Sequence, residues 1–269
     1  MGRASRAKAE RREQTDRRLH QIEQGTRRCL ICSSTGGIFR SAEHPVPESL
    51  GGVSVLPKGV VCDRCNNERL AVLDQAALKL APFAAQRVFK GIPSKSTGKV
   101  PDVRLQGGVL RSTGPNAIAL DMDGTTEMMR ELGHTDGRIH FNLSMKGGPR
   151  MTPRYVALLS SWLLKIALAT AWFQHGDAVL QSRFDNVRDS ISDGPRDGYV
   201  AFARRGTPSP SITTQHWIGE DSNIAVIADV YGMTFATDSV NPEPVIAPPP
   251  DDITVIKFQR SDFRGYRAS

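Results

Sequence analysis

The sequence predicts an α+β protein: a small cysteine-bearing module, then a larger region with a long core helix and antiparallel strands. Three observations predict it. All four cysteines of the 269-residue chain lie between Cys29 and Cys65, as the pairs CLIC and CDRC. The segment PRYVALLSSWLLKIALATAWFQ, Pro153 to Gln174, is apolar around most of a helix. The stretches between residue 93 and Ser144, and again after Gly198, are short alternating or β-branched runs separated by Gly, Pro and Asn, which is strand chemistry.

The long helix has its own start signal, because Pro153 suits a first helical turn and Thr152 suits the N-cap before it. Ser160, Ser161, Lys165 and Thr170 interrupt its apolar run, which argues for a buried core helix and against a membrane span. Trp162, Trp172 and Phe173 are read as core. A shorter helix is expected around Asp177 to Ile191. Earlier in the chain, Leu70, Leu73, Ala77, Leu80 and Phe83 recur near the helical period after Asn66, with Pro82 kinking or ending the first part. Strands are expected at VRLQ, AIALDM, RIHFNLS, GYVAFARR, TTQHWI, NIAVIADVYGMTFAT (turning at Tyr231-Gly232) and ITVIKFQ. APPPDD, Ala247 to Asp252, reads as an extended linker.

Three regions follow: a basic arm over residues 1–28, a cysteine-bearing module with its following helix over 29–92, and an α+β region over 93–269. The arm carries nine Lys or Arg against four acids and no apolar face, so it suits either phosphate contacts or a solubilising tail. The net charge of +7 and pI near 9.5 favour a polyanionic partner, most simply nucleic acid; a solvated basic surface is the bland alternative. Arg183, Arg188, Arg204 and Arg205 can extend that basic surface. The N-terminus is charged throughout, with no secretory leader, so a cytoplasmic location is expected, where paired CxxC motifs bind metal more often than they form disulfides.

Cys29, Cys32, Cys62 and Cys65 offer four thiolates, and tetrahedral Zn²⁺ is their natural occupant. The module has few large apolar residues, so the metal would supply much of its stability. Four sulfurs close the zinc site, and catalytic groups must come from elsewhere. Two clusters stand out: Glu43-His44 in SAEHPVPESLGG, and Asn66-Asn67 directly after Cys65. Pro45 and Pro47 keep the segment after His44 extended, and Gly51-Gly52 permits a reversal.

The order CxxC, EHPVPESLGG, VVCDRCNNERL resembles an HNH endonuclease of the zinc-bearing ββα-metal branch, over Cys29 to Arg69. The resemblance implies a metal-dependent hydrolase acting on phosphodiester bonds in DNA. It implies that His44 is the general base. Glu43 and Asn66 would hold a catalytic Mg²⁺ or Mn²⁺, the four cysteines a structural Zn²⁺. Arg69 stands where a phosphate-contacting Lys or Arg follows, and Arg64, Arg27 and Arg28 are further nucleic-acid-binding candidates. Imidazole can take a proton from water near neutral pH, and a divalent ion can neutralise the scissile phosphate.

The chain departs from the family pattern in three places: Glu43 replaces the commoner Asp, GVSVLPKGVV has no residue to brace the loop around the base, and Asn67 competes with Asn66, which is preferred for its place next to Cys65. An RNA substrate, or a non-catalytic zinc module binding nucleic acid or protein, are the competing readings. The C-terminal region would position substrate, form a homodimer or bind a regulatory partner. GHTDGRIH, with His134, Asp136 and His140, is read as a turn entering a strand and not as a metal site.

Overall fold

The long helix organises everything else. In the computed structural model, which describes residues 28–95, 97–105, 108–114, 117–122, 152–193, 197–204, 212–219, 224–230, 233–239 and 253–259, it spans Pro153–His175. Thr152 caps it as expected, its hydroxyl accepting the Tyr155 N–H at 3.3 Å, and Gly176 ends it with φ 58°. A helix apolar on all sides must be covered on all sides. It is long and apolar enough to cross a membrane, yet most of that surface is buried inside the protein.

Numbered in chain order, α1 is Ala71–Leu78, continuous with a π-helical turn at Cys65–Leu70, and α2 is Ala81–Phe89. The expected break falls between them. Leu80 is extended (φ −67°, ψ 133°) and Pro82 sits in the first turn of α2, where its missing N–H has no helical partner to lose. β1 (Val103–Leu105), β2 (Gly108–Gly114) and β3 (Ala117–Met122) form an antiparallel meander, with a bulge at Ser112/Gly114. Of these, β2 was not anticipated: GVLRSTG has Gly at both ends and little alternation. Ala84 and Val88 of α2 pack against Val103 and Leu110 to cover this sheet.

The long helix is α3. The expected second helix is instead two 3-10 turns, Gly176–Leu180 and Ser182–Phe184, followed by α4, Asp185–Ser192. Arg188 is a correction: it is buried, and its guanidinium donates to the carbonyls of Val179 at 2.8 Å and Gln181 at 2.6 Å and to Asp185. Those carbonyls lie in and between the two 3-10 turns, so Arg188 ties the turns to α4 and is structural, not part of a basic surface.

The second sheet contains β4 (Gly198–Arg204), β5 (Ile212–Ile218), β6 (Ile224–Val230), β7 (Met233–Asp238) and β8 (Ile253–Phe258), in the order β5-β6-β7-β4-β8, antiparallel throughout. Its inner face packs on α3. Phe83 sits between Trp162 of α3 and Phe235 of β7, with ring centroids 5.3 and 5.6 Å away. Buried hydroxyls cross the same interface: Thr237 donates to the Tyr199 carbonyl at 2.7 Å and lies 2.7 Å from Ser160 Oγ.

The cysteine-bearing segment does not build a core of its own. Leu30, Ile31, Phe39, Leu50, Leu56, Val60 and Val61 join one hydrophobic cluster with α3 and the second sheet. The residues 1–27 arm with Arg27, the Tyr231-Gly232 turn, RIHFNLS, GHTDGRIH and APPPDD lie outside the described residues.

Candidate functional site

The two CxxC turns meet face to face. Ser33 has φ 58° and returns the chain so that its N–H reaches the Cys29 carbonyl at 2.9 Å, closing the first turn. A Cβ on Gly37 would stand 2.9 Å from Cys62 Cβ, so glycine is what lets the two turns approach. The Leu30 N–H donates to the Val60 carbonyl at 2.8 Å, and the Cys62 N–H points at Cys29 Sγ at 3.3 Å.

The four sulfurs then lie within 4.8 Å of one another, with Cys32 and Cys62 Sγ 3.8 Å apart. Sulfurs bound tetrahedrally at about 2.3 Å from a zinc ion stand about 3.8 Å apart. All four are free thiols, and the Cys32–Cys62 separation is well beyond a disulfide bond. The thiol of Cys65 shares its proton with Cys29 and pulls the Cys29 thiol down to about 4, while burial lifts Cys62 to about 11. Cys65 is pushed up in turn by the Cys29 sulfur and by burial. Crowded sulfurs that resist carrying charge together gain most from a shared cation. The cluster is a competent metal-binding site.

Between the turns runs the Glu43-His44 hairpin. Glu43 forms an antiparallel bridge with Leu56, whose N–H reaches the Glu43 carbonyl at 2.7 Å. After Pro47 the chain makes one 3-10 turn, Glu48–Leu50, so the proline pair delays helix and does not exclude a single turn. Gly51 ends that turn with φ 83°, and a Cβ on Gly52 would lie 1.9 Å from the Val46 carbonyl oxygen.

The second cysteine turn holds the segment that leads into the hairpin. Asp63, inside CDRC, accepts the N–H groups of Arg40 and Ser41, both at 2.9 Å, and the Ser41 hydroxyl at 2.5 Å. Those bonds hold its carboxyl below the usual carboxylate range. Its own N–H donates to the Ile38 carbonyl at 2.7 Å. Three residues on, in the π-turn, the Asn66 side-chain amide donates to the Ala42 carbonyl at 3.0 Å. Asn66 therefore sits against the segment that carries Glu43 and His44, whereas Asn67 is exposed.

Glu43 is buried, and its Oε1 lies 2.5 Å from Lys165 Nζ of α3, a close ion pair without hydrogen-bond alignment. The same ammonium contacts Asp74 of α1 at 2.8 and 3.1 Å, and Asp74 accepts the Trp162 indole N–H at 3.0 Å. Burial pushes both carboxyls up, partly offset by Lys165. His44 Nδ1 is buried without a hydrogen-bond partner. Arg69 is half-buried, Arg28 is exposed, and Arg64 is exposed and turned toward Glu68 at 3.7 Å.

Asp63, Asp74 and Lys165 were not singled out from sequence. The signal for Lys165 was available: a lysine in an otherwise apolar core helix requires a buried counter-charge. Nothing local marks Asp74 as that partner. No family model matches this chain, nor does any curated protein or solved structure at a significant level.

Proposed function

We propose that this protein is an HNH-type, metal-dependent endonuclease that hydrolyses phosphodiester bonds in DNA. The observation that carries the reading is the Asn66 amide on the Ala42 carbonyl, beside Glu43 and a buried, unpartnered His44 Nδ1. Cys29, Cys32, Cys62 and Cys65 hold a structural Zn²⁺, which the sulfur spacing suits. This assignment fits a reducing, cytoplasmic setting, where free thiols persist.

The donor set also suits a second, harder cation. Asn66 uses its amide nitrogen on Ala42, which leaves its amide oxygen as an acceptor. Glu43 engages Lys165 through Oε1, and a carboxylate has a second oxygen to offer. These residues would hold Mg²⁺ or Mn²⁺, which supplies neutralisation of the scissile phosphate and its leaving oxygen. His44 accepts the proton of the attacking water; the water oxygen bonds to phosphorus, the scissile P–O bond breaks, and the leaving oxygen gains a proton from solvent. Arg69, at the end of the π-turn, contacts a neighbouring phosphate. Arg64, Arg28 and Arg27 add sequence-independent affinity.

The module over residues 29–92 carries the chemistry in this reading, and the region over 93–269 positions substrate, pairs with a second copy or receives a regulatory partner. The commitment of Glu43 to Lys165 favours one second reading, a zinc module that binds nucleic acid or protein without cutting it. Zinc-loaded wild type and His44→Ala, incubated with supercoiled plasmid and Mg²⁺ or Mn²⁺, separate the two. Nuclease action predicts a loss of about 10²- to 10⁴-fold in the variant. Equal cleavage, or none by either protein, rejects it. Duplex DNA, single-stranded DNA and structured RNA assayed side by side decide the substrate class.

A further inference from the structure

We infer that Lys165, far along the chain from the hairpin, is a positioning residue for Glu43-His44, acting with Asp74 and Trp162; this rests on the nuclease reading above. Lys165 is 1 % exposed, at the centre of an apolar helix. Buried ion pairs seldom outperform well-packed apolar side chains as sources of stability, so a lysine kept there calls for another role.

Its geometry supplies one. Tyr155, Trp162 and Lys165 lie on one stripe of α3, facing α1: the Tyr155 hydroxyl donates to the Ala76 carbonyl, and Trp162 and Lys165 both donate to Asp74. Asp74 is thereby fixed, and it fixes the ammonium. The third partner of that ammonium is Glu43 Oε1. The Glu43 backbone is already pinned by Leu56, so side chain and main chain are both held and the direction of the next residue, His44, is set. An HNH-like hairpin is thus oriented by a residue outside the cysteine-bearing module. The C-terminal region completes the site and does not merely accompany it.

The test uses full-length, zinc-loaded protein and the variants Lys165→Arg, Lys165→Met and Asp74→Asn. Plasmid cleavage with Mn²⁺ gives kcat and KM, with zinc content and thermal midpoint measured in parallel. Asp74→Asn keeps the side-chain shape and the acceptor for Trp162, and Lys165→Arg keeps the charge but moves it. Both are expected to retain zinc and a plasmid KM within about threefold of wild type, while kcat falls about 10- to 100-fold, the cost of misplacing a reacting group by about 1 Å. Lys165→Met is expected to lose more than Lys165→Arg; should it fail to fold, the other two variants decide. A merely structural lysine predicts lower thermal midpoints with wild-type kcat per zinc-loaded molecule, and that result overturns the inference while leaving the nuclease reading intact. A wild type that cleaves no nucleic acid overturns both.

Discussion

Asp63 holds Ser41 twice, accepting its backbone N–H at 2.9 Å and its hydroxyl at 2.5 Å through one oxygen. Because Asp63 lies between two cysteines, whatever organises the cysteine cluster also organises the entry to the Glu43-His44 hairpin. Asp63→Ala should speed amide hydrogen exchange at Arg40 and Ser41 and, on the nuclease reading proposed above, lower plasmid cleavage without loss of metal from the cysteine cluster. Unchanged exchange at those two amides would show that the brace lies elsewhere.

The cysteine cluster is expected to hold one zinc ion per chain, counted by native mass spectrometry. Cys65→Ser should reduce zinc occupancy and stability together, because binding energy at such a site is folding energy. Chelation should have the same effect on the wild type. A chain that keeps its thermal midpoint after complete zinc removal would mean that the shared hydrophobic core suffices alone.

Gly51 and Gly52 should respond to alanine for different reasons. At Gly51 the added Cβ meets only ordinary contacts, the nearest at 3.6 Å, so the cost is that of φ 83°, about 1–2 kcal/mol. At Gly52 the Cβ would stand 1.9 Å from a backbone oxygen, and the turn itself must move. Overpacking of that kind costs about 1–3 kcal/mol or more, and urea denaturation of the two variants should rank Gly52→Ala as the more damaging.

Thr237→Val removes the donor to the Tyr199 carbonyl and the partner of Ser160 at the interface of α3 with the second sheet. Leaving the buried Ser160 hydroxyl without this partner costs about 1–3 kcal/mol, and the replacement is close in shape. The expected loss in chemical denaturation lies in that range; a neutral result would mean that the Ser160 hydroxyl finds another partner.

Burial, and then the charge of His175, hold the His216 imidazole below its ordinary value. The folded protein therefore binds fewer protons than the unfolded chain in the window beneath the ordinary histidine value of about 6.5. The His216 contribution to stability is complete above that value and is lost as pH falls through the lowered folded one. His216→Gln should flatten thermal midpoint against pH in that window. An unchanged slope would assign the dependence to another group.

Local chemistry made much of this protein legible in its sequence. The Thr152-Pro153 start and the long, mostly apolar run determined α3, and Pro82 determined the break between α1 and α2, because capping and proline act within a turn of themselves. The CxxC spacing marked the four sulfurs, and alternation marked most strands of the second sheet. The strand β2 escaped notice because its glycines carry no alternation to read.

Tertiary structure alone decided what surrounds the hairpin. Sequence singled out Glu43, His44 and Asn66, but not that Glu43 would face Lys165 and Asp74, since those three come from a hairpin and two helices. The brace from Asp63 spans a loop that only the meeting of the cysteine turns closes. Arg188 read as surface and is interior, because its carbonyl partners come from turns that local propensity did not foretell. A counter-charge for a buried group can come from any element packed against it, and which element packs there is settled by the shared core.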